Sequence, residues 1–253
     1  MAPAMRAALA AAMLGLLGAS TARAEWVVTL YTGVSHTYQS DVQVVQPATH
    51  SDATFGEVSW APHSFTLGVP YFGLRVSYFR SSAAHVGATI DFTHYKMYAE
   101  TAEDSVIRGT WNGTPLYTWE PISTLMQQLS APDVNLVSLD GQYRWNAEFD
   151  DGPWEKHIGA GALVYLPRAD AMINGTGVSS NYQYAGFGGQ IFGGAAYNVP
   201  ARMQPHDMAL KRITLLVETK LNMGSLDMNL DPATRIDTRT TTVHLITGVS
   251  LHF

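Results

Sequence analysis

Charged side chains are sparse in this sequence, at 14 % of residues. Six of them fall on the polar register of alternating apolar runs: Arg75, Asp91, Asp140, Arg144, Glu218 and Lys220. His244 shares the inward register near them. A carboxylate beside an imidazole can move protons or bind a metal, so Asp91, Glu218 and His244 are the candidate catalytic groups. One histidine and two carboxylates match no defined metal geometry. The same residues also read as an ion-pair network that fills an interior, because an unpaired buried charge is far costlier than a paired one. Tyr71, Tyr95, Tyr165 and Tyr184 share this register toward one end of their strands. A second set is basic and peripheral. Lys96 follows His94 on the outward register, and Arg168 and Arg239 stand at comparable rim positions; each suits contact with phosphate, and snorkelling of a long side chain is the alternative for Lys96.

The elements that carry these residues alternate with period two. Eight strands are expected, near residues 26–36, 69–80, 86–98, 134–146, 156–167, 183–198, 210–223 and 239–253. Phe72, Leu74, Val76 and Tyr78 alternate with Tyr71, Gly73, Arg75 and Ser77. Ile213, Leu215, Val217 and Leu221 alternate with Thr214, Leu216, Glu218, Lys220 and Asn222. None of these runs has helical spacing. The last strand ends on an aromatic residue, Phe253, with Val243, Leu245, Val249 and Leu251 on one face. Links after strands one, three, five and seven are long, and those after two, four and six are shorter. This is the pattern of a transmembrane barrel with short periplasmic turns and long extracellular loops. The expected fold is therefore an all-β, eight-stranded antiparallel transmembrane barrel spanning residues 25–253. Trp26, Tyr78, Tyr143, Trp145, Tyr197 and Phe253 are expected as its periplasmic aromatic girdle. A soluble sandwich or lipocalin-like barrel is the alternative for the same strand count.

Residues 1–24 read as a signal peptide, with Arg6, a short apolar run and the small-residue site Ala22-Arg23-Ala24. Without them, 15 basic residues fall to 13 against 21 acidic, a net charge of −8 that disfavours nucleic acid. With 0 cysteines there is no thiol nucleophile, disulfide or cysteine metal site. Neither a GxSxG elbow nor an HExxH helix is present. The glycine-rich run 186–194 lacks a following Lys-Ser or Lys-Thr, so it reads as room for curvature or a large neighbour rather than a phosphate loop. Asn112-Gly113-Thr114 and Asn174-Gly175-Thr176 match a glycosylation pattern of the kind polar loops produce by chance. The first long link carries Asp52, Glu57, Trp60, His63 and Phe65, and the adjacent pair His63-Ser64 has no mechanical merit by itself. The second holds a possible helix from Pro121 to Leu129, with Ile122, Leu125, Met126 and Leu129 on one face. An eight-stranded barrel is only wide enough for its own side chains, which argues against a diffusion pore. Function then belongs to the loops, the outer rim, the lipid-facing wall or a small internal pocket. The ligand at hand there is lipopolysaccharide, with outer-membrane lipid around it.

Several segments together resemble the lipid A oxidase family of outer-membrane barrels. They are Val58-Ser59-Trp60 with Ser64-Phe65, Pro70-Tyr71-Phe72-Gly73-Leu74-Arg75, and Asp91-Phe92-Thr93-His94-Tyr95-Lys96. Gly159-Ala160-Gly161, Leu166-Pro167-Arg168, residues 181–190 and Glu218-Thr219-Lys220 complete the set. The resemblance implies an enzyme that uses molecular oxygen to oxidise the proximal glucosamine of lipid A to an aminogluconate unit. In that setting Asp91 or Glu218 is the expected base and His244 its proton partner. Lys96, Arg168, Lys220 and Arg239 are the expected holders of phosphate or of developing negative charge. The cofactor is not identified; a divalent metal is one electron-handling candidate, with oxygen as co-substrate. A non-enzymatic structural, adhesive or surface-protective barrel and a lipid A acyl hydrolase are the rivals. Oligomeric state is not legible.

Overall fold

The computed structural model describes residues 24–61, 71–200 and 210–253. In chain order the strands are β1 (Glu25–Thr37), β2 (Ser40–Gln46), β3 (Ser51–Val58), β4 (Trp60–Ala61), β5 (Phe72–Phe79), β6 (Val86–Ala99), β7 (Asp104–Trp111), β8 (Thr114–Pro121), β9 (Met126–Trp145), β10 (Trp154–Ile173), β11 (Thr176–Ser179), β12 (Gly186–Asn198), β13 (Arg212–Asp231) and β14 (Thr234–His252). Among the described residues the only helices are two single 3-10 turns, at Pro47–Thr49 and Ile122–Thr124.

Eight of these strands form an antiparallel ring in the order β1-β5-β6-β9-β10-β12-β13-β14, closed by pairing of β1 with β14 from Val27↔His252 to Thr37↔Thr242. Closure leaves no unpaired barrel edge, which backbone in hydrocarbon requires. The wall faces follow the period-two pattern of the sequence. In β5, Gly73, Arg75 and Ser77 are buried inside while Phe72, Leu74, Val76 and Tyr78 face out. Outside, Leu30, Val86, Ile90, Leu139, Ile158, Ile191, Leu215, Val217 and Leu245 are exposed as a continuous apolar belt. Inside at the same heights lie Thr29, Arg75, Asp91, Asp140, Glu218 and Lys220. A greasy exterior around a charged, sealed interior is the inverse of a soluble barrel, so the solvent of this wall is lipid and the chain is a barrel of the outer-membrane class. Below the belt, Trp26–Tyr78, Tyr143–Trp145 and Trp154–Tyr197 pair at 4.9, 4.7 and 5.0 Å, so five residues of the expected girdle meet there, joined by Trp154.

The upper part departs from the sequence reading. The long links are not loops but more sheet. β2 pairs with the top of β14, β3 with β2, β7 with β3 and β8 with β7, so a four-stranded extension rises above the ring. β9, β10, β13 and β14 run on into it, and β13 passes to β14 through a tight turn with Asp231 paired to Thr234. The extension has an apolar core that includes Val42, Val44, Phe55, Trp60, Ile107, Met126, Leu226 and Ile236.

The helix expected over 121–129 is absent. Ile122–Thr124 is one 3-10 turn, and β9 starts at Met126. A bulge explains the misleading spacing: Met172 pairs with Gln128 but Ile173 pairs with Met126, so Gln127 is extra. That insertion puts Met126 and Leu129, three apart, on the same buried side and imitates a helical period. Tyr184 is also corrected, since it is 53 % exposed, outward, and meets Phe187 edge to face at 5.2 Å. Positive φ at Gly186 (138°) breaks the alternation just after it, and Ala185 takes the inward place. The signal peptide reading concerns residues that, apart from Ala24, lie outside those described, as do His63, Ser64, Phe65 and Pro70.

Candidate functional site

The barrel interior is layered. At mid-height Arg75 makes four hydrogen bonds: Nε and Nη2 to Asp91 at 3.2 and 2.9 Å, and Nη1 and Nη2 to Glu218 at 2.6 Å each. Lys220 donates to Asp91, to the Tyr31 hydroxyl at 2.8 Å and to Thr93 at 3.3 Å. Tyr31 in turn donates to Asp91 Oδ1 at 2.6 Å. His157 Nε2 lies 2.8 Å from Glu218 Oε2. Two cations balance two carboxylates, and every side chain in this set is at most 5 % exposed. Gly73 makes room for it, because an added Cβ would sit 1.9 Å from Tyr31 Cζ. Gly159 does the same for the Phe192 ring, at 2.1 Å, and that ring lies under Arg75.

At the periplasmic end a second network closes the bore. Glu25 receives Arg144 and Arg212 at 2.6 Å each and His252 at 2.9 Å. Arg144 also donates to the turn carbonyls of Ser82 and Ala84 and stacks on Phe79 at 3.6 Å. Between the networks is a cavity of about 30 Å³ touching Arg75, Gln142, Arg144 and His157, which has room for little more than a water molecule. Above the central network, His244 accepts from Asn222 at 3.0 Å and meets the edge of Tyr95. Higher still the apolar core of the extension fills the section. Both charged networks are thus walled off from anything larger than water. Among the described residues no three His, Asp or Glu side chains converge as a metal site, and the nearest approach, His157 with Glu218, is already satisfied by Arg75.

The outer wall is different. On β6, β9 and β10 the apolar belt ends abruptly in polar residues at one height. His94 pairs in register with Asn135, and Asp133 with Arg168. Asn135 Nδ2 donates to the Leu166 carbonyl at 3.4 Å, so its Oδ1 faces His94 and accepts from Nδ1–H at 2.9 Å. His94 Nε2 is left as the acceptor nitrogen. It is buried, has no hydrogen-bond partner, and lies 3.8 Å from Asp133 Oδ1. Phe72 stacks on the imidazole at 5.0 Å. Arg168, 46 % exposed, reaches Asp133 at 3.9 Å and Asp170 at 3.4 Å, and Tyr182 lies beside Asp133 and Asn135. The ten residues from Trp145 back to Asn135, at about 3.3 Å each along a strand tilted about 40°, rise about 25 Å, the height of the apolar band in such barrels. The cluster therefore stands where hydrocarbon gives way to headgroups on the outer side.

Of the residues singled out from the sequence, Asp91, Glu218 and Lys220 meet in the central network. His244 stands one layer above them, bonded to Asn222 rather than to either carboxylate. Lys220, grouped with the rim cations, points inward and is fully buried. Lys96 sits at a bulge between Tyr95 and Met97, close in sequence to His94. Arg168 belongs to the wall cluster, and Arg239 is exposed on β14 opposite Ser225. Tyr31, His157, Asp133 and Asn135 were not singled out. For the last two the signal was two polar residues continuing the outward register of Val137 and Leu139.

No protein-family model matches the sequence, and no curated protein does. Solved structures similar to the chain are small barrels. Neisserial surface protein A matches with a TM-score of 0.42 and 11 % identity over 91 % of this chain and 99 % of that one. The outer membrane protein OprG from Pseudomonas aeruginosa matches at 0.45 and 12 % over 91 % and 97 %. Ail, the attachment invasion locus protein of Yersinia pestis, matches at 0.33 and 12 % over 91 % and 99 %. The fold stands on the strand pairing itself.

Proposed function

We propose that this chain is a bacterial outer-membrane enzyme that oxidises the proximal glucosamine of lipid A to an aminogluconate unit with molecular oxygen. The observation that carries the reading is the polar cluster of His94, Asp133, Asn135 and Arg168 at the upper edge of the lipid belt. A substrate already lying in the outer leaflet reaches that height by lateral diffusion, without entering the sealed bore. The segments resembling lipid A oxidases support it, since Phe72, His94, Lys96, Arg168 and Tyr182 all come from them. Oxygen supplies the oxidising equivalents. The chain contributes a histidine of fixed tautomer, with its second nitrogen unpaired, and cations for anionic groups of the lipid.

Lipid A extracted from otherwise identical cells with and without the gene tests this by mass spectrometry. A gain of one oxygen on the disaccharide is the expected result. Loss of an acyl chain would replace oxidation with hydrolysis, and an unchanged spectrum would leave a non-enzymatic surface barrel.

A further inference from the structure

The wall cluster is more specific than a polar patch. His94 is 95 % buried by its 5 % exposure, yet one of its nitrogens has no partner. A buried donor or acceptor left unpaired is costly, and this one lies on the outer wall, with nothing in the interior that needs it. The hydrogen bond from Nδ1–H to Asn135 leaves the Nε2 lone pair free. Asp133, the second group near Nε2, sits at 3.8 Å, too far to be its hydrogen-bond partner. The charged and titratable groups around the imidazole are Asp133 on β9, Arg168 and Asp170 on β10, Lys96 on its own strand and Tyr182 from the segment before β12. Phe72, 43 % exposed, stacks on the ring and offers a flat apolar surface beside it, of the sort that packs against a sugar face.

Resting on the oxidase reading above, we propose that Phe72, His94, Asp133 and Arg168 form the seat of the proximal sugar and that His94 Nε2 is the catalytic base. Tyr182, 50 % exposed, borders the seat beside Asp133 and Asn135. Nε2 takes the proton of the hydroxyl on the anomeric carbon. The C–H bond at that carbon breaks, the C–O bond becomes a carbonyl, and two electrons with two protons reduce one oxygen molecule to hydrogen peroxide. Water then opens the lactone to the aldonate, so the product carries one more oxygen than the substrate. Asn135 is a positioning residue that fixes the tautomer. Asp133 and Arg168 border the seat and set its charge. Asp91, Glu218 and His244 contribute the scaffold and do not touch the sugar.

The test uses the full barrel in detergent–lipid micelles containing lipid A, with heat-modifiable migration of each variant as the check on folding. His94→Gln is expected to lower oxidation at least about a hundredfold, the usual contribution of a positioned base. Asn135→Leu removes the acceptor of Nδ1–H and should lower oxidation, while Asn135→Asp, which keeps an acceptor at that place, should restore it. Independently of turnover, the His94 resonance of histidine-labelled protein, assigned by its loss in His94→Gln, should shift when lipid A is added. If wild type oxidises lipid A and folded His94→Gln does so at the same rate, the base is refuted while the oxidase reading survives. If wild type does not oxidise and the resonance does not move, the seat is refuted along with that reading. If it moves without oxidation, the seat holds and only the oxidation falls.

Discussion

Replacing Glu218 isolates what the central network does. Its carboxylate accepts two 2.6 Å hydrogen bonds from Arg75 and faces His157, in a layer of buried side chains. Glu218→Gln keeps the volume and removes the charge. Arg75 is then left with Asp91, which Lys220 already shares, so one hydrogen-bonded carboxylate serves two cations, with Asp140 the other buried carboxylate near them. Breaking one side of a buried pair costs about 3–5 kcal/mol, a large part of a typical total of about 5–15 kcal/mol. At a urea dependence of about 2 kcal/mol per molar, the unfolding midpoint of the barrel in lipid should fall by about 2 M. The double change Arg75→Met with Glu218→Leu removes a neutral pair and leaves Asp91 with Lys220 and Tyr31. It should cost less than Glu218→Gln alone, although it alters more atoms. Urea titrations followed by the fraction migrating as folded barrel on an unheated gel would measure both. A midpoint shift below about 0.5 M for Glu218→Gln, or a double variant less stable than Glu218→Gln, would refute a closed, ion-paired layer.

The lipid-facing wall predicts the reverse of a soluble surface: Leu139→Arg, at a site 65 % exposed, should cost about 2–4 kcal/mol, read by the same titration, where a water-facing site would tolerate it. Gly73→Val should prevent Tyr31 from lying across β5 and so unseat Lys220 and Asp91; its loss of folded protein should exceed that of Gly141→Val, since a Cβ on Gly141 meets only a carbonyl at 4.0 Å. Glu25→Gln leaves Arg144 and Arg212 together at the periplasmic mouth with Glu155 and Glu148 as the remaining carboxylates near them, and amide exchange of the turn at 79–86 should rise as its contacts with Arg144 loosen.

Period two made the barrel legible from sequence, and it did so because one wall meets lipid while the other meets charge: Arg75 between Leu74 and Val76 leaves only one way to face. The same rule failed wherever the pleat is interrupted. Gln127, extra in β9, made Met126 and Leu129 look helical, and Gly186 reversed the side on which Tyr184 stands. The extension was read as loops because strands surrounded by water and by one another carry mixed residues, as in Thr114–Pro121, with no lipid to enforce contrast. Inward charges could be named, but their partners depend on strand order and tilt, so Glu218 with His157, 61 positions apart, was beyond reach. The wall site shows the opposite limit. His94 was visible as an outward polar residue, but its free nitrogen depends on which way Asn135 is held by the carbonyl of Leu166.

These geometries divide stability from chemistry. A base must meet its substrate's proton within hydrogen-bond distance, and a group fully bonded to protein can do so only by giving up bonds already made. Glu218 and Asp91 would each have to release Arg75 or Lys220, leaving a bare charge in a dry layer, while a lipid headgroup crossed the packed extension to reach them. His94 gives up no hydrogen bond, because Nε2 has none to lose, and its ligand arrives sideways within the membrane plane. The barrel can therefore hold a rigid, ion-paired centre for stability and, on the proposed reading, present its reactive edge on the outside, beside Tyr182. The order of effects follows directly. Interior variants should lower the amount of folded barrel and leave turnover per folded molecule nearly intact, and His94→Gln should do the reverse.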